Sequence, residues 1–169
     1  MEEPKIYISR ITDAADGSSS IGEETDVMNA MPGIQYVSAT GIDSYGAPSI
    51  YSEKYAEGKA TDIYTSSYPS ETKVKITLLF TSPGTSSGDA VASIAYVISQ
   101  YEKFIALVSA GRIVYRDNIR RRKLILVLSE ATSTVKDYIS GTVAKQAEFT
   151  FTNPYGRPFA EDEDLTGIL

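Results

Sequence analysis

The segment KVKITLLF (residues 73–80) decides the fold. Val74, Ile76, Leu78 and Phe80 alternate with Lys73, Lys75 and Thr77. That two-residue period belongs to a strand with one buried face. Working outward, SPGTSSG (82–88) is a loop by composition. Ser87 or Asp89 at its end can cap a helix by accepting bonds from the free first-turn amides. The spacing predicts that helix over about 89–110, where Val91, Ile94, Ile98, Tyr101, Ile105 and Val108 recur at steps of three and four. Val97, Phe104 and Leu107 widen the stripe, and only Glu102 and Lys103 are charged along its middle. So apolar a helix has to be covered, by its own sheet or by a neighbouring subunit. Gly111 is a C-terminal stop. RIVYRD (112–117) and RRRKLILVLSEA (120–131) follow as two strands around the turn residues Asp117-Asn118. KQAEFTFTNP (145–154) closes the unit, with Ala147, Phe149 and Phe151 on one side. NPYG (153–156) then sets Asn, Pro and Gly at the first, second and fourth positions of a turn. These elements predict a mainly β, α+β fold: an antiparallel β-sandwich or barrel-like sheet with one principal α-helix.

Upstream, KIYISRI (5–11) is a candidate strand, with Ile6, Ile8 and Arg10 on one side and Tyr7, Ser9 and Ile11 on the other. Residues 13–26 are acidic and rich in Gly and Ser, a loop or flexible arm. A short strand is expected at 34–39 after the turn residues Pro32-Gly33, and DSYGAP (43–48) is another turn cluster. Residues 49–71 are polar and carry Tyr51, Tyr55, Tyr64 and Tyr68. Residues 1–70 thus show little dense apolar periodicity, and predict an extended N-terminal region that packs on something else to offset its ordering entropy. The division expected is this region, a β unit with its helix at 71–158, and an acidic tail at 159–169.

Composition narrows the chemistry. The chain has 169 residues, 42% of them hydrophobic, which is enough for a core. It has no cysteine and no histidine. Disulfide staples, thiolate chemistry, zinc–thiolate sites and every histidine-dependent triad are therefore excluded. A hydrolase or nuclease would need clustered carboxylates around a metal, and Glu130, Asp137 and Glu148 show no such spacing. No apolar run is long enough to span a bilayer. The N-terminus lacks an apolar signal core, so synthesis in the cytoplasm without export by the usual route is expected. Residues 1–71 hold twelve acids and four bases, a balance of −8. Residues 72–158 hold six acids and twelve bases, a balance of +6, and the tail holds four acids and no base. Acidic flanks around a basic centre can dock between copies, or be solvated independently.

Two further motifs are weak. SPGTSSG precedes a helix but lacks the Lys-Ser/Thr ending of a phosphate-binding loop. EDED (161–164) lacks the alternating ligand spacing of a calcium loop, and suits a solvated tail or one paired with a basic patch. No metal or cofactor is expected. The basic cluster is more informative. Arg120, Arg121, Arg122 and Lys123 open the most apolar strand, with Arg112 and Arg116 on the strand before it. Alternation sends Arg120 and Arg122 to one face and Arg121 and Lys123 to the other. The cluster can be a charged hairpin end that keeps an edge soluble, a subunit interface paired to the acidic flanks, or a contact with nucleic-acid backbone. LILVL (124–128) is apolar on both faces, so both need cover. With one helix available, an opposing sheet or a neighbouring copy is expected to supply the second. The candidate assembly residues are therefore Arg112, Arg116, Arg120, Arg121, Arg122, Lys123, Leu124, Leu126 and Leu128.

The order of elements, with the phrases GRIVYRDN and RRRKLILVLSEATSTVKDYISGTVAKQAEFTFTNPYG, resembles the tail-tube-like fold of tailed bacteriophages, in particular the hub half of distal tail proteins. The resemblance covers roughly residues 71–158. It implies a non-enzymatic structural virion protein in a homo-oligomeric ring, usually six-fold, around a channel through which DNA passes without sequence-specific binding. Its partners would be copies of itself and neighbouring tail or baseplate proteins, with no membrane insertion. The chain ends soon after NPYG, without room for a second, carbohydrate-module-like domain, so tail tube, tail-terminator and head–tail connector rings stay open beside the distal hub. A rival from another class is a monomeric β-sandwich glycan-binding module, with the tyrosines of 51–68 as a stacking platform.

Overall fold

The alternating segment at 73–80 lies inside a strand that carries neighbours on both sides. The structure, a computed structural model, describes residues 2–54, 61–82, 90–133, 138–139 and 142–169. In chain order the elements are β1 (Ile6–Asp13), β2 (Ser19–Ile21), β3 (Thr25–Asp26), α1 (Val27–Ala30), β4 (Ile34–Thr40), β5 (Pro48–Lys54) and β6 (Thr61–Pro69). They continue with β7 (Thr72–Thr81), α2 (Ala90–Val108), β8 (Arg112–Asp117), β9 (Arg122–Ser133), β10 (Tyr138–Ile139), β11 (Thr142–Asn153) and β12 (Phe159–Ala160). The main sheet runs β2-β1-β8-β9-β11-β7-β4, with β3, β10 and β12 pairing at its margins. Its pairs are antiparallel. β5 and β6 form a separate two-stranded sheet.

The mainly β, α+β expectation with one long helix holds; the sheet is single and open rather than two sheets face to face. It is also strongly curled. Arg120, in the β8–β9 turn, donates to the Tyr36 hydroxyl at 3.1 Å and the Ala39 carbonyl at 3.3 Å on β4. Three strand steps separate β9 from β4 in the sheet. A flat sheet would place them about 14 Å apart, beyond the reach of one side chain.

The inner face of the curl holds the main core. Val74, Ile76, Leu78 and Phe80 of β7 meet Ala147, Phe149 and Phe151 of β11, all at 2% exposure or less. The helix fills the concavity, and Phe80, Tyr101, Phe104 and Phe149 form an aromatic cluster. Phe104 meets Phe149 edge to face at 4.7 Å between ring centres. The helix is rolled from the stripe read in the sequence. Val97, Phe104 and Val108 are fully buried, whereas Ile98 is 39% exposed. Both stripes satisfy the helical period; the fit of Phe104 between Phe80 and Phe149 selects one. Gly111, at φ 103°, lets the chain reverse after α2. The proposed caps Ser87 and Asp89, and the SPGTSSG loop beyond Ser82, lie outside the described residues.

The N-terminal segments belong to this sheet. β1 sits inside it, between β8 and β2–β3, and β4 forms its far edge. The 13–26 segment, read as loop or flexible arm, supplies β2 and β3 against β1.

A second, smaller core lies on the other face. Ile11, Val114 and Ile125 are covered by Phe159 and Leu165 of the C-terminal segment, with Tyr155, Ile168 and Leu169 around them. This corrects the expectation that an opposing sheet or a neighbouring copy hides the second face of 124–128, since the chain's own C-terminal segment does so. Leu124, Ile125 and Leu126 are each 0% exposed within one chain. An acidic composition concealed the cover: Phe159 and Leu165 bracket EDED and carry the burial, while Glu161 and Glu163 pair with arginines and Asp162 and Asp164 are exposed.

Candidate functional site

The basic cluster surrounds the β8–β9 turn. Asp117, 1% exposed, accepts from the backbone amides of Ile119 at 3.1 Å and Arg120 at 2.7 Å, and from the Tyr115 hydroxyl at 3.0 Å. Burial, followed by the Asp117 charge, pushes the Tyr115 phenol far above its ordinary value. Asp117 therefore builds the turn from within. Arg121 follows with φ 54°, a left-handed conformation that side chains seldom adopt.

Most of the candidate arginines are engaged inside the chain. Arg112 donates to Asp13 at 2.6 Å, to Ser19 at 3.0 Å and to the Tyr155 hydroxyl at 3.0 Å. Ser19 and then Arg112 hold the Asp13 carboxyl below its ordinary value. Arg116 lies over the Tyr7 ring and binds Glu24 at 2.6 Å and Glu161 at 2.9 Å. Its hydrogen bond to Glu24 raises its pKa against the opposing effect of burial. Arg120 is spent on β4 and on Asp117 at 3.5 Å. Lys123 donates to the Glu163 carbonyl at 3.3 Å. Leu124 and Leu126 are core residues, and Leu128 packs half-buried against the same core, so Leu124 and Leu126 cannot serve as assembly contacts.

Two arginines remain available. Arg121 is 79% exposed and its side chain meets one carboxylate, Glu161, at 2.9 Å. Arg122 is 46% exposed, with Asp43 at 3.9 Å. The expected grouping appears, although β9 begins only at Arg122 and the turn rather than strand alternation sets the first two: Arg120 and Arg122 approach Asp43, whereas Arg121 and Lys123 approach the C-terminal segment. The acidic tail is thus a strap paired to the basic centre of its own chain. Arg121, then Arg116, hold the Glu161 carboxyl below its ordinary value. Among the described residues no group of three or more acids is placed to hold a metal ion. The clefts beside Arg121 are polar, one lined by Glu2, Lys5, Arg116 and Glu161 and the other by Arg120, Arg122 and Asp162.

A different surface was missed by reading side-chain patterns. β5 and β6 pair with each other, Ile50 opposite Thr65 and Lys54 opposite Thr61, and join no other strand. This hairpin leaves the body at Ala47 and returns at Ser70. Its strands are seven and nine residues long, and each has one edge without a partner among the described residues. The outer edge of β4 is also unpaired there, with a bulge at Val37, which is 46% exposed. The signal in the sequence was faint: polar strands with frequent Tyr, Ser and Thr and no apolar face. The side chains of Tyr51, Tyr64 and Tyr68, proposed as a stacking platform, and Tyr55 as a whole, lie outside the described residues, as does Asp137.

No family model matches the chain, and no curated protein matches it. Among solved structures it is similar to chains of the phage p2 baseplate in its activated conformation, one with Sr and one with Ca. The identities are 11% and 14%, and the TM-score is 0.44 in both. Each match covers 88% of this chain and 44% of the other, so the chain spans less than half the length of the chains it matches. No helix among the described residues is long and apolar enough to cross a membrane.

Proposed function

We propose that this chain is a structural component of a tailed-phage virion, built into the tail or baseplate as a ring of identical copies around the DNA channel. The observation that carries assembly is the β5–β6 hairpin. An isolated two-stranded hairpin is marginal in water and gains stability from a third strand or a packed partner. Among the described residues the hairpin has unpaired ladder edges, and the body carries another at β4. Unpaired edges are sites for strand addition between chains. Edges at two separate places on one molecule suit a head-to-tail contact, which closes into a ring when the rotation per subunit permits. The phage assignment rests on the sequence resemblance over residues 71–158. The exposed Arg121 and Arg122 add a charged contact at the β8–β9 tip.

Sedimentation across a wide concentration range, with negative-stain imaging, tests the proposal. Closed rings that grow with concentration are expected. A compact monomer at every concentration, above all one that binds glycans, sinks it.

A further inference from the structure

Both ends of the hairpin meet at one point, and the NPYG turn is the third part of that junction. Gly46 donates its amide to the Gly156 carbonyl at 2.7 Å. The Ser70 amide and hydroxyl both donate to the Ala47 carbonyl, at 3.1 and 2.7 Å. The turn is itself locked. Gly156 donates to the Asn153 carbonyl at 3.2 Å. Asn153, fully buried, accepts from the Tyr155 amide at 3.1 Å and donates to the Arg157 carbonyl at 3.0 Å. Packing at the junction leaves no room for a side chain. A Cβ on Gly46 would lie 1.7 Å from the Ser70 carbonyl oxygen, and one on Gly156 would lie 2.2 Å from the same oxygen. Gly156 also has φ 67°, which a larger residue adopts only under strain. Three segments distant in sequence thus converge backbone to backbone, so closely that a side chain on either glycine would force the chain to shift.

Resting on the assembly reading above, we infer that the Asn153–Gly156 turn is a socket that fixes the direction of the β5–β6 hairpin, so that its unpaired edge meets the edge of a second copy at one angle. A floppy hairpin would lose orientational entropy on docking; a clamped one has lost it already, and binds more tightly for the same contacts. The occupant is a second copy because one chain carries both halves of such a contact: among the described residues, unpaired strand edges on the hairpin and one on β4 of the body.

The chain has no cysteine, so introduced ones are unique labelling sites. Spin labels at Ser52→Cys on β5 and Lys103→Cys on the exposed side of α2 report the hairpin-to-body distance by pulsed dipolar spectroscopy. Labelled chains are diluted into unlabelled protein so that only intramolecular distances count. A single narrow distance peak is expected in the parent, and its loss in Gly46→Ala and Asn153→Ala. Circular dichroism and thermal melting confirm that the body remains folded; if Gly46→Ala abolishes the fold, Asn153→Ala, which removes the two side-chain bonds that lock the turn and leaves both glycines in place, carries the test. Loss of the narrow peak together with loss of rings supports the socket. A peak equally narrow in the variants, or equally broad in the parent, overturns it. The distance measurement does not require rings, so a parent that stays monomeric with a narrow, clamp-dependent peak counts against the ring and leaves the socket standing.

Discussion

A single buried pair shows how residue chemistry sets the solution behaviour of this fold. Tyr115 is 1% exposed, with its hydroxyl on Asp117, and its pKa is raised first by burial. The native state therefore keeps the phenol proton at pH values where the unfolded chain releases it. The Tyr115 contribution is complete below the unfolded value of about 10, and drains away as pH rises beyond it. The loss approaches about 1.4 kcal/mol per pH unit from this group alone. Urea unfolding between pH 9 and 11 should show a steeper decline in the parent than in Tyr115→Phe, which should lose about 1 kcal/mol at neutral pH for the missing hydrogen bond. Equal slopes would assign the alkaline loss to other groups. Asp117 and Asn118 were legible as turn residues. The buried role of Asp117 was not: its partners are local, Tyr115 and the amides of Ile119 and Arg120, but its burial comes from packing that spacing alone does not show.

Among the elements, strands and helix were legible wherever one face repeats: β7, β8, β11 and the helix lie close to their expected bounds. What escaped was whatever long-range pairing decides. β1 was seen as a strand, but its place inside the sheet follows from pairing with β8 about a hundred residues later. The strap escaped because charge dominates its composition while two apolar residues do the packing. Its β pairing is short, Phe159 and Ala160 against Lys123 and Arg122, so its anchorage lies in Phe159 and Leu165. Leu165→Ala should cost about 2–4 kcal/mol by denaturant titration and raise hydrogen exchange in β12 and at Ile125 before the main core. Simultaneous exchange throughout would show the strap to be one cooperative unit with the body. Glu161→Gln should move global stability far less, since its ion pairs are solvated and weakened by salt.

For the whole molecule, the expectation of a chain unable to hide its own oily strand gives way to one whose C-terminal segment covers that strand and whose hairpin stands outside the main sheet. Of the nine candidate assembly residues, Leu124 and Leu126 are buried in the core, and Arg121 and Arg122 are the most exposed of the arginines among them. Their joint change to Glu should leave the melting transition nearly unchanged while lowering the ring fraction in sedimentation, most clearly at low salt. An intact ring population would exclude the tip from the contact. The junction at Gly156 has a further consequence, in time rather than in space. The hairpin and the residues flanking it leave the ribosome long before Asn153–Gly156 exists, so a growing chain has yet to form the Gly46–Gly156 bond at the hairpin's base. On the socket proposal, only a polypeptide translated through that turn holds the hairpin at its final angle, and products truncated before it lack the clamp.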